Sequence, residues 1–257
     1  MDPQSAICSK PKARRDSPEL GDDNLMDIMR PDVEIVHVTG VEGARAARGV
    51  VVVIDVLRSF SVSAYALAGG ARECLLVSTI GEALTLAQGI PDAIVCAEEH
   101  GLPVPGIAIS NSPTQIQAAD IRGKTLIQRS SAGTPVMGAV QSSDGMFAGS
   151  LVVASATAQA CLSRRPTTVT LVASADFPED HACAIYIEAV LRGTSVDLDE
   201  LLRPLRESER YRMFMAGEWP GFVASDIELS LAVDRFDFAM PATRHEGYIA
   251  LKAVKWR

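Results

Sequence analysis

Short apolar runs and segments with helical spacing alternate along most of the chain. We interpret the apolar runs as strands at residues 33–38, 50–55, 73–77, 93–97, 124–128, 146–148 and 168–172. Amphipathic segments separate them, and we predict helices at 61–68, 79–88, 113–119, 134–140, 155–162 and 179–191. This alternation predicts an α/β protein with a mostly parallel sheet that is covered by helices on both faces.

The most continuous apolar run is Val50–Ile54, and Asp55 follows it directly. An uninterrupted β-branched run is typical of a strand that is buried on both faces of a parallel sheet. Asp55 then stands at the carboxyl end of this strand, where ligands bind in open α/β sheets. Because a carboxylate is costly to desolvate, we expect Asp55 to lie near water, a cation or a metal, with Arg58 and Ser59 close by.

The two ends of the chain differ from this pattern. Residues 1–32 are rich in Pro, Ser, Asp, Lys and Arg, and we expect a flexible tail with a short helix at 24–29. Residues 33–257 are predicted to form the α/β domain. Its last third is more charged and less strand-like, so a division into two lobes, 33–195 and 196–257, stays open.

Irregular and weakly patterned segments add three further expectations. Residues 98–112 contain several Pro and Gly and predict a long functional loop. We predict one or two helices at 199–215, interrupted by Pro204, and a helix at 225–232. Residues 236–241 and 248–252 are expected to pair as two strands at an edge of the sheet.

Composition narrows the function classes. A net charge of −8 argues against a general nucleic-acid or membrane-surface binder, because such proteins carry a basic face. The cysteines form no CxxC pair and suggest buried thiols of a cytoplasmic protein. We see no apolar leader segment and no apolar run of membrane-spanning length. A homo-oligomer is a further expectation, because Phe214, Trp219 and Phe222 exceed what a monomer would obviously need.

Polar residues follow four of the predicted strands. They are Asp55, Arg58 and Ser59; Glu98, Glu99 and His100; Ser130, Ser131, Gly133 and Thr134; and Ser174, Asp176, Glu179 and Asp180. Each group alone is better explained by helix capping. Together, on one edge of a parallel sheet, they predict a functional site.

The chemistry of these groups suits phosphoryl transfer to water. Several carboxylates with few histidines favour a hard divalent cation such as Mg²⁺. The turn at 130–134 can present N–H groups and hydroxyls to an anion, and Arg58 can bind a phosphate or carboxylate. The chain has no GxxxxGK[ST], GxGxxG, HExxH or GxSxG motif, so nucleotide-binding, zinc and serine hydrolase readings are weakened.

Five collinear segments resemble the 2-phosphosulfolactate phosphatase family. They are IDVLRSFS at 54–61, AEEHGLPVPGIAISNSP at 97–113, SSAGT at 130–134, PEDHACAIYIEAVLRG at 178–193 and DRFDFAMPATRHEG at 234–247. The resemblance spans about residues 33–255. It implies an α/β fold particular to this family and a magnesium-dependent acid phosphatase. It also implies hydrolysis of 2-phosphosulfolactate to sulfolactate in coenzyme M biosynthesis.

The family motifs map onto individual positions of this chain. Asp55 and Arg58 match the acid and arginine of DVLR, and Glu99 matches the acid of a GER-like loop. Asn111 and Ser112 match NSP, Gly133 and Thr134 match the end of an NGT-like turn, and Glu179 and Asp180 match the helix-opening ED. His100 stands where the family often has Arg, and Ala132 where it often has Asn.

These considerations assign candidate roles within a phosphatase that acts on a small phosphorylated hydroxy acid. The predicted catalytic residues are Asp55, Arg58 and Glu99. The predicted phosphate-binding residues are Arg58, Ser59, Asn111, Ser130, Ser131, Gly133 and Thr134. The predicted Mg²⁺ ligands are Asp55, Glu99, Glu179 and Asp180. We expect a metal-bound water as the nucleophile, with Asp55 as a covalent nucleophile the alternative. A non-catalytic anion-binding or regulatory protein on the same scaffold is the alternative function.

Overall fold

The structure, a computed structural model, describes residues 33–256; the predicted tail at 1–32, with its helix at 24–29, lies outside them. The strands are β1 (Glu34–Thr39), β2 (Val50–Ile54), β3 (Glu73–Leu76), β4 (Ala93–Glu99), β5 (Leu102–Pro103), β6 (Thr125–Arg129), β7 (Gly145–Gly149), β8 (Thr168–Ala173), β9 (Met240–His245) and β10 (Tyr248–Leu251). The helices are α1 (Gly40–Ala46), α2 (Ser59–Ala68), α3 (Ile80–Gln88), α4 (Pro113–Ala118), α5 (Gly133–Ala139), α6 (Ala154–Ser163), α7 (Pro178–Arg192), α8 (Leu198–Arg206), α9 (Glu209–Met215) and α10 (Ala224–Ser230).

The strands form a ten-stranded sheet in the order β1-β8-β2-β7-β9-β10-β3-β6-β4-β5. It contains two parallel groups, β1-β8-β2-β7 and β3-β6-β4. Several helices begin where capping residues in the sequence predicted them. At α3, for example, the Thr79 hydroxyl accepts a hydrogen bond from the backbone N–H of Glu82, whose carboxylate in turn accepts from the Thr79 N–H. The predicted α/β class with a mostly parallel sheet is confirmed.

Helices cover both faces of this sheet, as predicted. Along β2, Val51 and Val53 face a core that also contains α2 and α5. Val50, Val52 and Ile54 face a second core that contains α6, α7 and α8. The alternation explains why β2 has no polar residue, since both of its faces are buried. The four cysteines from Cys74 onward are buried and free.

The hairpin β9–β10 lies in the middle of the sheet and not at its edge, so the edge-strand prediction was wrong. β9 pairs with β7 and β10 pairs with β3, all antiparallel, and the hairpin thereby joins the two parallel groups. A two-residue-period pattern predicts a strand but does not identify its neighbours, which explains the error. The division into lobes at 195/196 stays a prediction.

The hairpin also determines the relative direction of the two parallel groups of strands. Because three successive antiparallel pairings separate β7 from β3, the group β3-β6-β4 runs opposite to β2 and β8 along the ladder. The expected single edge shared by all four strands is therefore wrong, because the carboxyl ends of the two groups point in opposite directions along the ladder. β9 pairs with β7 only at Met240 and Pro241 and with β10 only from Ala242 onward. Loops of both groups nevertheless line the same cavity, as described below.

Among the helices of residues 33–256, none combines the length and the hydropathy that a transmembrane span requires.

Candidate active site

Asp55 lies at the point where β2 ends and α2 begins, and its side chain is only 4% exposed. One carboxylate oxygen, Oδ1, accepts a hydrogen bond of 3.0 Å from the backbone N–H of Ser59. Burial, with the nearby charges of Glu98 and Glu179, raises the pKa of Asp55 to about 6. At neutral pH the carboxylate is therefore ionised but holds a proton more readily than an ordinary aspartate.

Two further acids, Glu179 and Asp180, begin α7 and lie fully buried beside Asp55. Asp180 accepts hydrogen bonds from the Val56 N–H (2.8 Å) and the Ser174 hydroxyl (2.8 Å). Burial, followed by the charges of Asp55 and Glu179, raises the pKa of Asp180 well above its usual value. Asp180 thus links Val56, in the loop after β2, to Ser174, in the loop after β8. Both of its carboxylate oxygens accept a hydrogen bond.

Of the adjacent acids at the end of β4, Glu98 and not Glu99 enters the site. Glu98 is 5% exposed, and its carboxylate accepts hydrogen bonds from the Ser131 N–H, the Ser131 hydroxyl and the Gly101 N–H. The Glu99 side chain is exposed. Successive side chains of a strand point to opposite sides, and β4 continues through Glu99 where we had expected it to end at residue 97. The site assignment therefore moves from Glu99 to Glu98.

The turn at residues 130–134 approaches Asp55 through its glycine. A Cβ atom added to Gly133 would lie 2.6 Å from Oδ2 of Asp55, so only glycine fits here without displacement. Ser131 lies at the cavity. Ser130 and Thr134 instead bond each other, since the Ser130 N–H donates to the Thr134 hydroxyl (3.1 Å) and the Thr134 N–H donates to the Ser130 hydroxyl (3.1 Å). These two residues close the turn, and neither lines the cavity.

A buried amide network joins the predicted residues Ser59 and Asn111. The side-chain N–H group of Gln128 donates to the Ser59 carbonyl (2.7 Å) and to the Asn111 side-chain oxygen (3.0 Å). Asn111 lines the cavity, whereas Ser59 is completely buried behind it. Gln128, which the sequence did not single out, therefore orients the amide of Asn111.

Arg58 forms a buried ion pair with Asp226, an acid that was not predicted from the sequence. Its Nη1 atom donates to Asp226 (2.8 Å) and to the Gly221 carbonyl (2.9 Å), and its guanidinium lies 4.0 Å above the ring of Phe222. Asp226 is fully buried and also accepts hydrogen bonds from the Ser112 hydroxyl and the Thr114 N–H. The pattern at 225–232 predicted only a helix, and nothing in it indicated that its acid would reach Arg58.

A second arginine, Arg210 of α9, was also missed. Its two terminal nitrogens bind the two oxygens of Glu179 at 2.5 and 3.2 Å, and its guanidinium lies 3.9 Å from the ring centre of Phe177. No motif surrounds Arg210, and the pattern of this charged segment predicted only helical structure. Only the neighbouring aromatic residues distinguish this segment in the sequence.

These residues surround a cavity of about 390 Å³. Its aromatic wall includes Phe214, Trp219 and Phe222, and the Phe214 and Phe222 rings stack at 3.8 Å. The aromatic residues that suggested an oligomer therefore pack within one chain. The lining residues are Asp55, Leu57, Arg58, Glu98, His100, Gly101, Asn111, Ser131, Ala132, Ala175, Phe177, Arg210, Phe214, Trp219 and Phe222.

The acids at this cavity fit a cation that is held by few protein ligands. Within residues 33–256, no three acidic, histidine or cysteine side chains form a preassembled metal cluster. Mg²⁺ commonly uses one or two carboxylates and completes its shell with water and substrate phosphate. Asp55 and Glu98 both line the cavity and fit this arrangement. Glu179 and Asp180 do not line it.

Comparison with known proteins identifies the family of this chain. A family model described as "2-phosphosulpholactate phosphatase" matches residues 37–219. The chain belongs to the 2-phosphosulfolactate phosphatase family. Three relatives are each named a probable 2-phosphosulfolactate phosphatase. That of Bacillus subtilis (strain 168) is 34% identical over 74% of this chain and 85% of its own length. That of Carboxydothermus hydrogenoformans is 38% identical over 55% and 60%. That of Caldanaerobacter subterraneus subsp. tengcongensis is 31% identical over 73% and 85%.

The family resemblance that the sequence motifs indicated is thus confirmed. Four of the five motif segments lie wholly within the matched range, and the closing segment at 234–247 lies beyond it.

Proposed function

We propose that the protein hydrolyses 2-phosphosulfolactate to sulfolactate and orthophosphate with the help of Mg²⁺. One observation carries the proposal: two buried acids, Asp55 and Glu98, and two fixed arginines, Arg58 and Arg210, line the same cavity. Acids that can hold a cation and arginines that can hold anions are groups that metal-assisted phosphate-ester hydrolysis uses. The names of the relatives support this substrate.

The phosphate group would lie beside Asp55, Arg58 and Ser131. Arg58 is fixed by Asp226 through Nη1 alone, so its other N–H groups, for which the described residues offer no hydrogen-bond partner, are free to bind phosphate oxygens. The arginine need not be reoriented when the substrate enters. Such prior fixation lowers the cost of organising the site during the reaction.

Asp55 would accept the proton of the attacking water as the new bond between oxygen and phosphorus forms and the bond to the substrate oxygen breaks. That proton would then pass to the oxygen of the departing sulfolactate. A carboxylate can accept this proton, and the burial that raises the pKa of Asp55 in the metal-free protein makes it a better acceptor than an ordinary aspartate. When bound, Mg²⁺ would offset the negative charge that the phosphate adds to that of Asp55 and Glu98. Asp55 as a covalent nucleophile is the competing mechanism.

Orthophosphate release tests the proposal. The substrates would be 2-phosphosulfolactate, 2-phospholactate and phosphoglycolate, each with Mg²⁺ and with EDTA. We expect release from 2-phosphosulfolactate that EDTA abolishes and that Asp55→Asn reduces by about a thousandfold or more. Asp176→Asn, which alters an exposed acid of the same region, is the matched control and should retain full activity.

Absence of release from any of the three substrates, by folded protein that binds Mg²⁺ in a calorimeter, would favour the anion-binding alternative. Acid-quenched enzyme that retains labelled phosphate on Asp55 would replace the proton-acceptor mechanism by the covalent one.

A further inference from the structure

The ion pair between Arg210 and Glu179 has the properties of a built binding site. Glu179 is completely buried, and both of its oxygens bind the guanidinium of Arg210. The Arg210 side chain is 21% exposed and lines the cavity. The buried acid therefore fixes an arginine whose remaining N–H groups can reach a ligand.

This arrangement changes the role of Glu179. A carboxylate that is engaged at both oxygens by one guanidinium would have to lose that pair before it could bind a cation. Breaking a buried pair is costly, because it leaves an uncompensated buried charge. Glu179 is therefore better suited to hold Arg210 than to hold Mg²⁺, although the sequence motif suggested a metal ligand.

The surroundings of Arg210 indicate which part of a substrate it would bind. Arg58 and Arg210 both lie against aromatic rings. Arg58 follows Asp55 within the same turn and so serves the phosphate, whereas Arg210 comes from α9 and is fixed separately by Glu179. A guanidinium is weakly hydrated and tolerates aromatic surroundings, which suits a weakly hydrated acid such as a sulfonate. A substrate with a phosphate and a second strong acid would occupy both arginines.

We propose that Arg210 determines substrate specificity by binding the sulfonate group of the substrate, and that Glu179 is a positioning residue for Arg210 and not a metal ligand. The inference rests on the proposed function, because it takes its substrate from there.

The test compares two substrates that differ only in the sulfonate. 2-Phospholactate carries a methyl hydrogen where 2-phosphosulfolactate carries the sulfonate. Arg210→Met should lower kcat/KM for 2-phosphosulfolactate by about ten- to a hundredfold, mainly through KM, as expected for one charge-assisted interaction. For 2-phospholactate the change should stay within about threefold. Equal losses with both substrates would overturn the role of Arg210.

Controls separate these effects from misfolding. Arg212→Met changes an exposed arginine of the same helix, which pairs with Glu209, and should leave both substrates unaffected. Because Arg210→Met leaves Glu179 buried without a partner, the double variant Arg210→Met/Glu179→Gln removes both charges together. It should fold and show the same loss of sulfonate preference, and a retained preference would contradict the proposal.

Calorimetry gives readouts that do not depend on turnover. Mg²⁺ should bind Glu179→Gln with a Kd close to that of the wild type, and a loss of Mg²⁺ affinity as large as that of Asp55→Asn would overturn the positioning role. Binding of sulfolactate in preference to lactate should require Arg210. If the wild type hydrolyses nothing but shows this preference, the proposed function fails and the specificity inference stands. If neither ligand is preferred, the inference fails.

Discussion

Replacing Asp55 by asparagine should stabilise the metal-free protein at neutral pH while it abolishes activity. The folded protein raises the pKa of this buried carboxyl from its usual 3.8 to about 6. A pKa that is higher in the folded state means that folding favours the protonated form. The associated stability is therefore fully present below pH 4 and is lost as the pH rises through about 6.

The size of the effect follows from the pKa. The rise in pKa from 3.8 to about 6 lowers the free energy of unfolding at pH 7.5 by about 3 kcal/mol, because each tenfold change in proton affinity is worth about 1.4 kcal/mol. Asparagine avoids this cost and keeps an oxygen for the Ser59 N–H. Its amide N–H group would meet the backbone N–H of Gly133, which hydrogen-bonds the carboxylate, and this mismatch costs about 1 kcal/mol. We therefore expect a net gain of about 2 kcal/mol for Asp55→Asn.

Urea unfolding in EDTA measures this difference at pH 7.5 and pH 4, with Asp176→Asn as the control that alters an exposed acid. The advantage of Asp55→Asn should be present at pH 7.5 and absent at pH 4, where the wild-type carboxyl is already protonated. A variant that is less stable than the wild type by the same amount at both pH values would refute the argument, since its cost would then come from packing or hydrogen bonding alone.

Two other substitutions test the geometry around the acids. Gly133→Ala should displace the Asp55 carboxylate, because its Cβ would lie 2.6 Å from Oδ2; we expect a loss of about 1–3 kcal/mol in stability and a large fall in kcat. Gly138→Ala, in the same helix with open space around it, should be neutral or stabilising by up to about 1 kcal/mol, and equal effects of the two changes would contradict this. Asp226→Asn should raise KM by about tenfold, because Asp226 holds Arg58 in place. The control Glu228→Gln changes an exposed acid of the same helix and should leave KM unchanged. An unaltered KM in Asp226→Asn would contradict the positioning role of Asp226.

The sequence predicted the parts of the fold that depend on local pattern. The uninterrupted run of β2 predicted burial on both faces, and the acid that ends it predicted a ligand site, because a carboxylate at a strand end must find compensation. Collinear motifs predicted the family.

The remaining features depend on long-range geometry that local pattern does not contain. Glu98 and Glu99 are adjacent acids, and a strand end that differs by two residues decided which one faces the cavity. Arg210 and Asp226 come from helices of the last third, whose charge pattern is that of an ordinary solvent-facing surface. The central position of β9–β10 follows from pairing partners, which the period of a strand does not specify.

The pair Glu98 and Glu99 offers the most direct test of the central claim that this cavity is a phosphatase site. The measurement is Mg²⁺-dependent orthophosphate release from 2-phosphosulfolactate by the wild type, Glu98→Gln and Glu99→Gln. Glu98 is buried at the cavity and bonded to the turn that contacts Asp55, whereas the side chain of Glu99 is exposed. The account predicts that Glu98→Gln loses most of the activity and that Glu99→Gln retains it. Full activity in Glu98→Gln, or loss of activity only in Glu99→Gln, would contradict the account, because the reaction would then not depend on the acid that lines this cavity.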